Sequence, residues 1–207
     1  MGINKAFFFA LLIFGCTSKK SKSDIDITFT PDTLNVGYTY WWPESGPFIG
    51  ECGNELSLVF TGSIKALKEP NDDPGPLYTS QEGIIEIDRV FKIKALGENT
   101  YANQKFMVTD CFHGLGLNIG DQVIVFCYDY EGGYSIPGGK SILKVTSLDD
   151  PLVESIKKYI DSNQDPRVLQ EDITLWTDKE MGSAVEKISA CHEEMSSMNN
   201  THIDINN

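Results

Sequence analysis

The stretch that most restricts the fold runs from Lys105 to Tyr130, KFMVTDCFHGLGLNIGDQVIVFCYDY. It holds two apolar runs, Phe106 to Cys111 and Val123 to Tyr128, separated by the turn-forming residues Gly114, Gly116, Asn118, Gly120 and Asp121. That pattern predicts a β-hairpin with a long loop. In the second run Val123, Val125 and Cys127 point to one face and Ile124, Phe126 and Tyr128 to the other. Both faces are apolar, so both need cover, and the strand belongs in the interior of a sheet.

Further strands follow from the same alternation. Leu56, Leu58 and Phe60 alternate with Ser57, Val59 and Thr61, and Gly62 marks a bend or bulge. Ile85, Ile87, Phe91 and Ile93 share a face with Arg89, while Glu86, Asp88, Lys92 and Lys94 lie opposite, which predicts one buried and one wet side. A last strand, Ser141 to Thr146, comes after the glycine-rich turn YEGGYSIPGGK. Beyond Leu148 the apolar period changes from 2 to about 3.6. Asp150-Pro151 supplies an N-cap and an N1 proline, Leu152, Ile156, Tyr159 and Ile160 form a helix face, and Glu154 is placed to pair with Lys158. Asp165-Pro166 repeats the start signal ahead of Leu169, Ile173 and Trp176. Thr177-Asp178-Lys179-Glu180 reads as a capping box opening a third helix, with Met181, Ala184, Val185, Ile188, Cys191 and Met195 as its stripe. Residues 196–207 carry no pattern and are expected to be a disordered tail. The expected fold is mainly β (β+α): a five-stranded OB-like Greek-key barrel over residues 36–148, then a C-terminal helical segment over 149–195.

The N-terminus gives the address. Lys5 precedes the nine-residue apolar run Ala6 to Phe14, and Gly15-Cys16 follows at once, the layout of a signal peptide too short to span a bilayer as a finished helix. The ending Ile13-Phe14-Gly15-Cys16 resembles the bacterial lipobox. That resemblance implies removal of residues 1–15, diacylation of Cys16, and attachment to the membrane through the N-terminal lipid. Residues 16–35 then read as lipid attachment and tether, ending in a short strand at Ile25 to Phe29. The implied location is the cell envelope, as an outer- or inner-membrane lipoprotein facing the periplasm or exterior. Removing residues 1–15 takes away Lys5 and no acid, changing the net charge from −13 to −14. Such a surface does not suit nucleic acid, and the basic cluster Lys19, Lys20 and Lys22 lies in the tether.

Setting Cys16 aside leaves Cys52, Cys111, Cys127 and Cys191, an even number in an oxidising compartment. Disulfides are expected, and three full pairings are open. Tyr38, Tyr40, Trp41, Trp42 and Phe48 crowd a segment punctuated by Pro43, Gly46 and Pro47. These aromatics suit a cover over an open end of the core. They equally suit a platform for a sugar or peptide, which makes Tyr40, Trp41 and Trp42 the candidate ligand-binding residues. Asn71-Asp72-Asp73 lacks the spacing of a calcium loop and reads as solvated. No GxSxG, HExxH or GxxxxGK[ST] occurs, so no catalytic residue and no cofactor is expected. The reading is a non-catalytic binding protein with a protein or glycan partner in the envelope. The alternative is a metal-binding or thiol-dependent protein built on Cys111, His113, Cys191 and His192, whose spacing matches no known zinc module.

The runs ELSLVFTGSI, IDRVFKI and DCFHGLGLNIGDQVIVFCYDY resemble the barrel of the tissue inhibitor of metalloproteinases and netrin-module superfamily, over about residues 52–146. In that family a cysteine ahead of the first strand is tied to one in the C-terminal helical part. The resemblance therefore implies a Cys52–Cys191 bond, places Cys111 at the family's cysteine ahead of the hairpin turn, and leaves Cys111 and Cys127 as a second candidate pair. The inhibitors begin with Cys-x-Cys, whose free amine chelates the protease zinc. No such motif stands here and an acylated Cys16 has no free amine, so the resemblance implies the barrel and not that inhibition.

Overall fold

The computed structural model describes residues 23–39, 45–73, 78–97 and 100–203, with the backbone alone at 199–203. The described residues form eight strands rather than five: β1 (Thr30–Asn35), β2 (Gly37–Tyr38), β3 (Leu56–Leu67), β4 (Gly83–Ile93), β5 (Gln104–Thr109), β6 (Gln122–Tyr130), β7 (Gly133–Ile136) and β8 (Ile142–Val145). Helices α1 (Pro151–Asp161), α2 (Ile173–Asp178) and α3 (Gly182–Ile203) follow, with a 3-10 turn at Pro166–Asp172. The strand order is β1-β5-β4-β3-β6-β7-β2, with β8 also on β6. β6 is interior, as its two apolar faces require, with β3 on one side and β7 and β8 on the other.

The expected hairpin is overturned. β5 and β6 are separated by β4 and β3, because the connection between them is long enough to cross the end of the sheet instead of folding back. Two strands were hidden at the other end of the chain. β1 lies in the stretch expected to be tether, while the short strand expected at Ile25 to Phe29 is reduced to one bridge, Ile25 to Val90. β1 and β2 are separated by Val36 alone, yet they occupy the two ends of the strand order. Val36 N donates to Val108 O at 3.0 Å and Thr39 N to Ile136 O at 3.0 Å, so one short segment serves both ends and the sheet curls. β7 sits inside the presumed turn, hairpinned to β6 across Glu131 and Gly132, both with positive φ.

The curl divides the apolar side chains into an inner and an outer core. Val123, Val125 and Cys127 join Phe60, Ile85 and Ile87 inside. Ile124, Phe126 and Tyr128 join Val59, Phe48, Tyr159 and Trp176 outside, beneath the helices. β4 departs from simple alternation. Thr61 pairs with Arg89 and Gly62 with Ile87, so Asp88 is an extra residue, and Phe91 is a second one between Val90 and Lys92. These bulges turn Val90 into the inner core and Phe91 into the outer core, correcting the single face expected for Ile85, Ile87 and Phe91. Gly62 permits the close approach, since a Cβ there would stand 2.4 Å from Glu86 O.

In the helical layer Asp150 caps α1, accepting from Leu152 N at 2.9 Å, and Leu152, Ile156 and Tyr159 are buried as expected. Asp165 caps the 3-10 turn. Glu154 pairs with Lys157 at 3.0 Å, whereas Lys158 reaches Asp172 at 3.1 Å. The capping box does not form: Thr177 Oγ1 donates back to Ile173 O at 3.0 Å, Glu180 takes φ 58°, and α3 begins at Gly182. α3 also continues through 196–203, where frayed tail was expected, because each added residue gains a ladder bond without needing an apolar stripe.

Candidate functional site

Cys52 and Cys191 form a disulfide with Cα atoms 5.4 Å apart, joining the loop before β3 to α3 across a sequence separation of 139. The same loop is held from α1 and its C-terminal turn, since Tyr159 OH donates to Gly53 O and Gln164 Nε2 to Asn54 O. Met195 Sδ lies 3.5 Å from Cys52 Sγ. This cluster fixes the helices onto the sheet.

Cys111 and Cys127 are not paired. Both are free thiols buried in the inner core. Burial pushes the Cys111 thiol up to about 12 and raises Cys127 as well, so neither supplies a thiolate nucleophile at neutral pH. The second disulfide expected from the sequence is not formed: Cys111 and Cys127 share the inner core as unbonded thiols. The four-residue metal set is not assembled either. Cys191 is consumed by Cys52, Cys111 faces the inner core, His113 is exposed on the loop after β5, and His192 lies 3.6 Å from Asp165. No group of three metal-ligating side chains occurs among the described residues. Cys16, Tyr40, Trp41 and Trp42 lie outside the described residues.

The concave feature the sequence reading missed is a cleft of about 610 Å³ between the loop after β5 and the strand β8, a size suited to a peptide side chain or a sugar. Its apolar floor comes from Leu115, Leu117, Ile142 and Leu143, and Tyr38, Lys140 and Lys144 stand on its rim. The walls are fixed by specific bonds. Gly120 N donates to Ile64 O at 2.8 Å and Ile64 N to Asp121 O at 3.0 Å, tying the loop to β3. Asp121 accepts from Asn118 N at 2.9 Å and pairs with Lys144 at 2.7 Å, and the Lys144 hydrogen bond holds its carboxyl below the usual range. Opposite, Lys140 N donates to Ser45 Oγ and Gly46 N to Ser141 Oγ, each at 2.9 Å. Gly139 leaves room for Leu115, whose Cδ2 would meet an added Cβ at 2.9 Å. Tyr38 continues the surface to Tyr78, with ring centroids 5.4 Å apart, and Tyr78 OH donates to Asp110 O at 2.6 Å. Burial, and then the neighbouring Asp110, raises the Tyr78 hydroxyl, so both phenols stay neutral hydrogen-bonding groups.

The sequence signal for this cleft was the Gly-Leu-Gly-Leu run at 114–117, which places two large apolar side chains between residues that have none. No protein-family model matches the chain, and no curated protein does. No helix among the described residues is long and apolar enough to cross a membrane.

Proposed function

We propose that this chain is a lipid-anchored, non-catalytic binding protein of the cell envelope, built on an OB-type Greek-key barrel and engaging an envelope partner through the Leu115–Leu143 cleft. The observation that carries the reading is the Cys52–Cys191 bond. Disulfides of this structural kind persist in oxidising compartments, and the apolar run ending at Gly15-Cys16 supplies the route there. The barrel assignment is supported by the curled sheet, in which β3, β4, β5 and β6 follow the order β5-β4-β3-β6. The binding role is supported by a cleft whose walls are braced in advance, so that little ordering entropy opposes a ligand. The charge of −13 favours a neutral or basic partner over nucleic acid.

The test combines address and cleft. Mass spectrometry of the protein taken from membranes should find diacylated Cys16, and Cys16→Ala should move the protein to the soluble fraction. A photo-crosslinker at Leu117 should capture an envelope component, and Leu143→Asp should abolish that capture. A soluble, unacylated chain overturns the anchor; acylation without a Leu143-dependent crosslink overturns the cleft.

A glycan is the second reading, favoured by the position of Tyr38 and Ser45, which both line the cleft and flank Tyr40, Trp41 and Trp42 in sequence. Trp176 is fully buried, so a change in tryptophan emission on titration with glycans would report Trp41 and Trp42. Flat titrations across a glycan panel would dismiss it.

A further inference from the structure

We infer that the edge carrying Ser23 to Ile25 against β4 is the surface turned toward the lipid bilayer, and that the loop end of the sheet, with Leu115, Leu117 and Ile119, points into the aqueous space. The inference rests on the acylation of Cys16 proposed above.

The chain becomes fixed close to its anchor. Ser23 is only 4% exposed, Asp24 Oδ2 lies 3.5 Å from Lys157 Nζ on α1, and Ile25 N donates to Val90 O at 3.1 Å. Six residues, 17–22, separate Cys16 from Ser23. Seven Cα steps reach at most about 25 Å. A domain of this length is about 40 Å across, so the tether is too short to let the far side of the domain approach the membrane. Direction follows from the pairing. Ile25 meets Val90 antiparallel, and Val90 pairs with Phe60. Moving back from Ile25, the chain runs toward the β4 C-terminus, and Asp24 reaches Lys157, whose ammonium lies 6.0 Å from the Phe91 ring centroid. The loop after β5 closes the opposite end of β3, where Gly120 is bonded to Ile64. Phe60 to Ile64 is four strand residues, about 13 Å, and the loop extends further. The chain at Ser23 to Ile25 and the cleft loop therefore lie toward opposite ends of β3.

The bilayer-facing edge is acidic, with Asp24, Asp26 and Asp88 around Arg89, and the tether carries Lys19, Lys20 and Lys22. The lysines suit anionic headgroups, while the acidic edge is held off them. An upright orientation thus needs no apolar patch on the domain.

Energy transfer tests it. Full-length acylated protein carrying a donor dye at Asp26→Cys or Ile119→Cys is reconstituted in phosphatidylethanolamine–phosphatidylglycerol vesicles with a rhodamine-headgroup lipid. The buried Cys111 and Cys127 thiols do not compete for the dye. Transfer from position 26 should exceed that from position 119 roughly twofold or more, because the labels differ in height by about half the domain's diameter. Flotation with the vesicles but equal or reversed transfer overturns the orientation alone. Failure of the acylated chain to float sinks the anchor and the orientation together.

Discussion

The inner and outer cores lie on the two faces of one sheet, with β3, β4 and β6 contributing to both, yet they are held by different means. Inside, the strands themselves supply the walls, and the segment 30–39 joins both ends of the strand order through backbone bonds to β5 and β7. Its side chains are mainly aliphatic and two are free thiols. Outside, the helical segment must return from the end of β8 and lie down on the sheet. Large aromatics meet there: Phe48 packs edge-on against Trp176 and Tyr159, with centroids 4.8 and 5.9 Å apart. That contact is fastened by the Cys52–Cys191 bond. The difference teaches that a covalent link lies where the chain has the longest excursion to close and the fewest ladder bonds to close it.

Three experiments bear on this comparison. The largest effect belongs to Cys52→Ala with Cys191→Ala. A loop of this length contributes up to about 5 kcal/mol in the chain-entropy account. Hydrogen exchange should show α3 losing protection first while β3 and β6 stay protected; simultaneous loss in both layers would mean that the cores are one cooperative unit. Trp176→Ala comes next. It removes a fully buried ring and the Nε1 bond to Ser155 Oγ at 3.1 Å, which should cost about 3–5 kcal/mol. Cys111 and Cys127 should remain inert to a thiol reagent in the native variant. Their ready modification would show that damage outside opens the inside.

The smallest effect is acid sensitivity of the helical layer. The hydrogen bond from Arg167 holds the Asp165 carboxyl down to about 2, from an ordinary 3.8. A depressed carboxylate stabilises the fold fully above its unfolded value and loses that contribution as pH falls through the folded one. The melting temperature should therefore drop between about pH 4 and pH 2, and Asp165→Asn should flatten that part of the profile. An unchanged profile would show that the cap bond to Arg167 N, which Asn can keep, matters more than the charge.

Much of the fold could be read from local signals. The two-faced β6, the Gly62 bulge and the Asp150 and Asp165 caps each rest on residues within one turn or strand of one another, so their energetics are present in any short window. The resemblance supplied the Cys52–Cys191 pairing. The candidate site was less legible. Gly114 to Leu117 reads as a turn in isolation, and becomes a cleft wall only when Gly120 is bonded to Ile64 and β8 is brought alongside β6.

The sequence by itself determined which residues must be covered and where strands give way to helices. Tertiary structure alone decided that β5 and β6 part company, that residues 30–39 complete the sheet, that Phe91 turns outward, and that Cys111 and Cys127 are buried unpaired in the inner core. The physical reason is the range of the interactions. Alternation and capping are satisfied by neighbours along the chain, whereas strand order, bulge register and thiol pairing depend on backbone and side-chain partners far away in sequence, and on which of several equally apolar surfaces they meet.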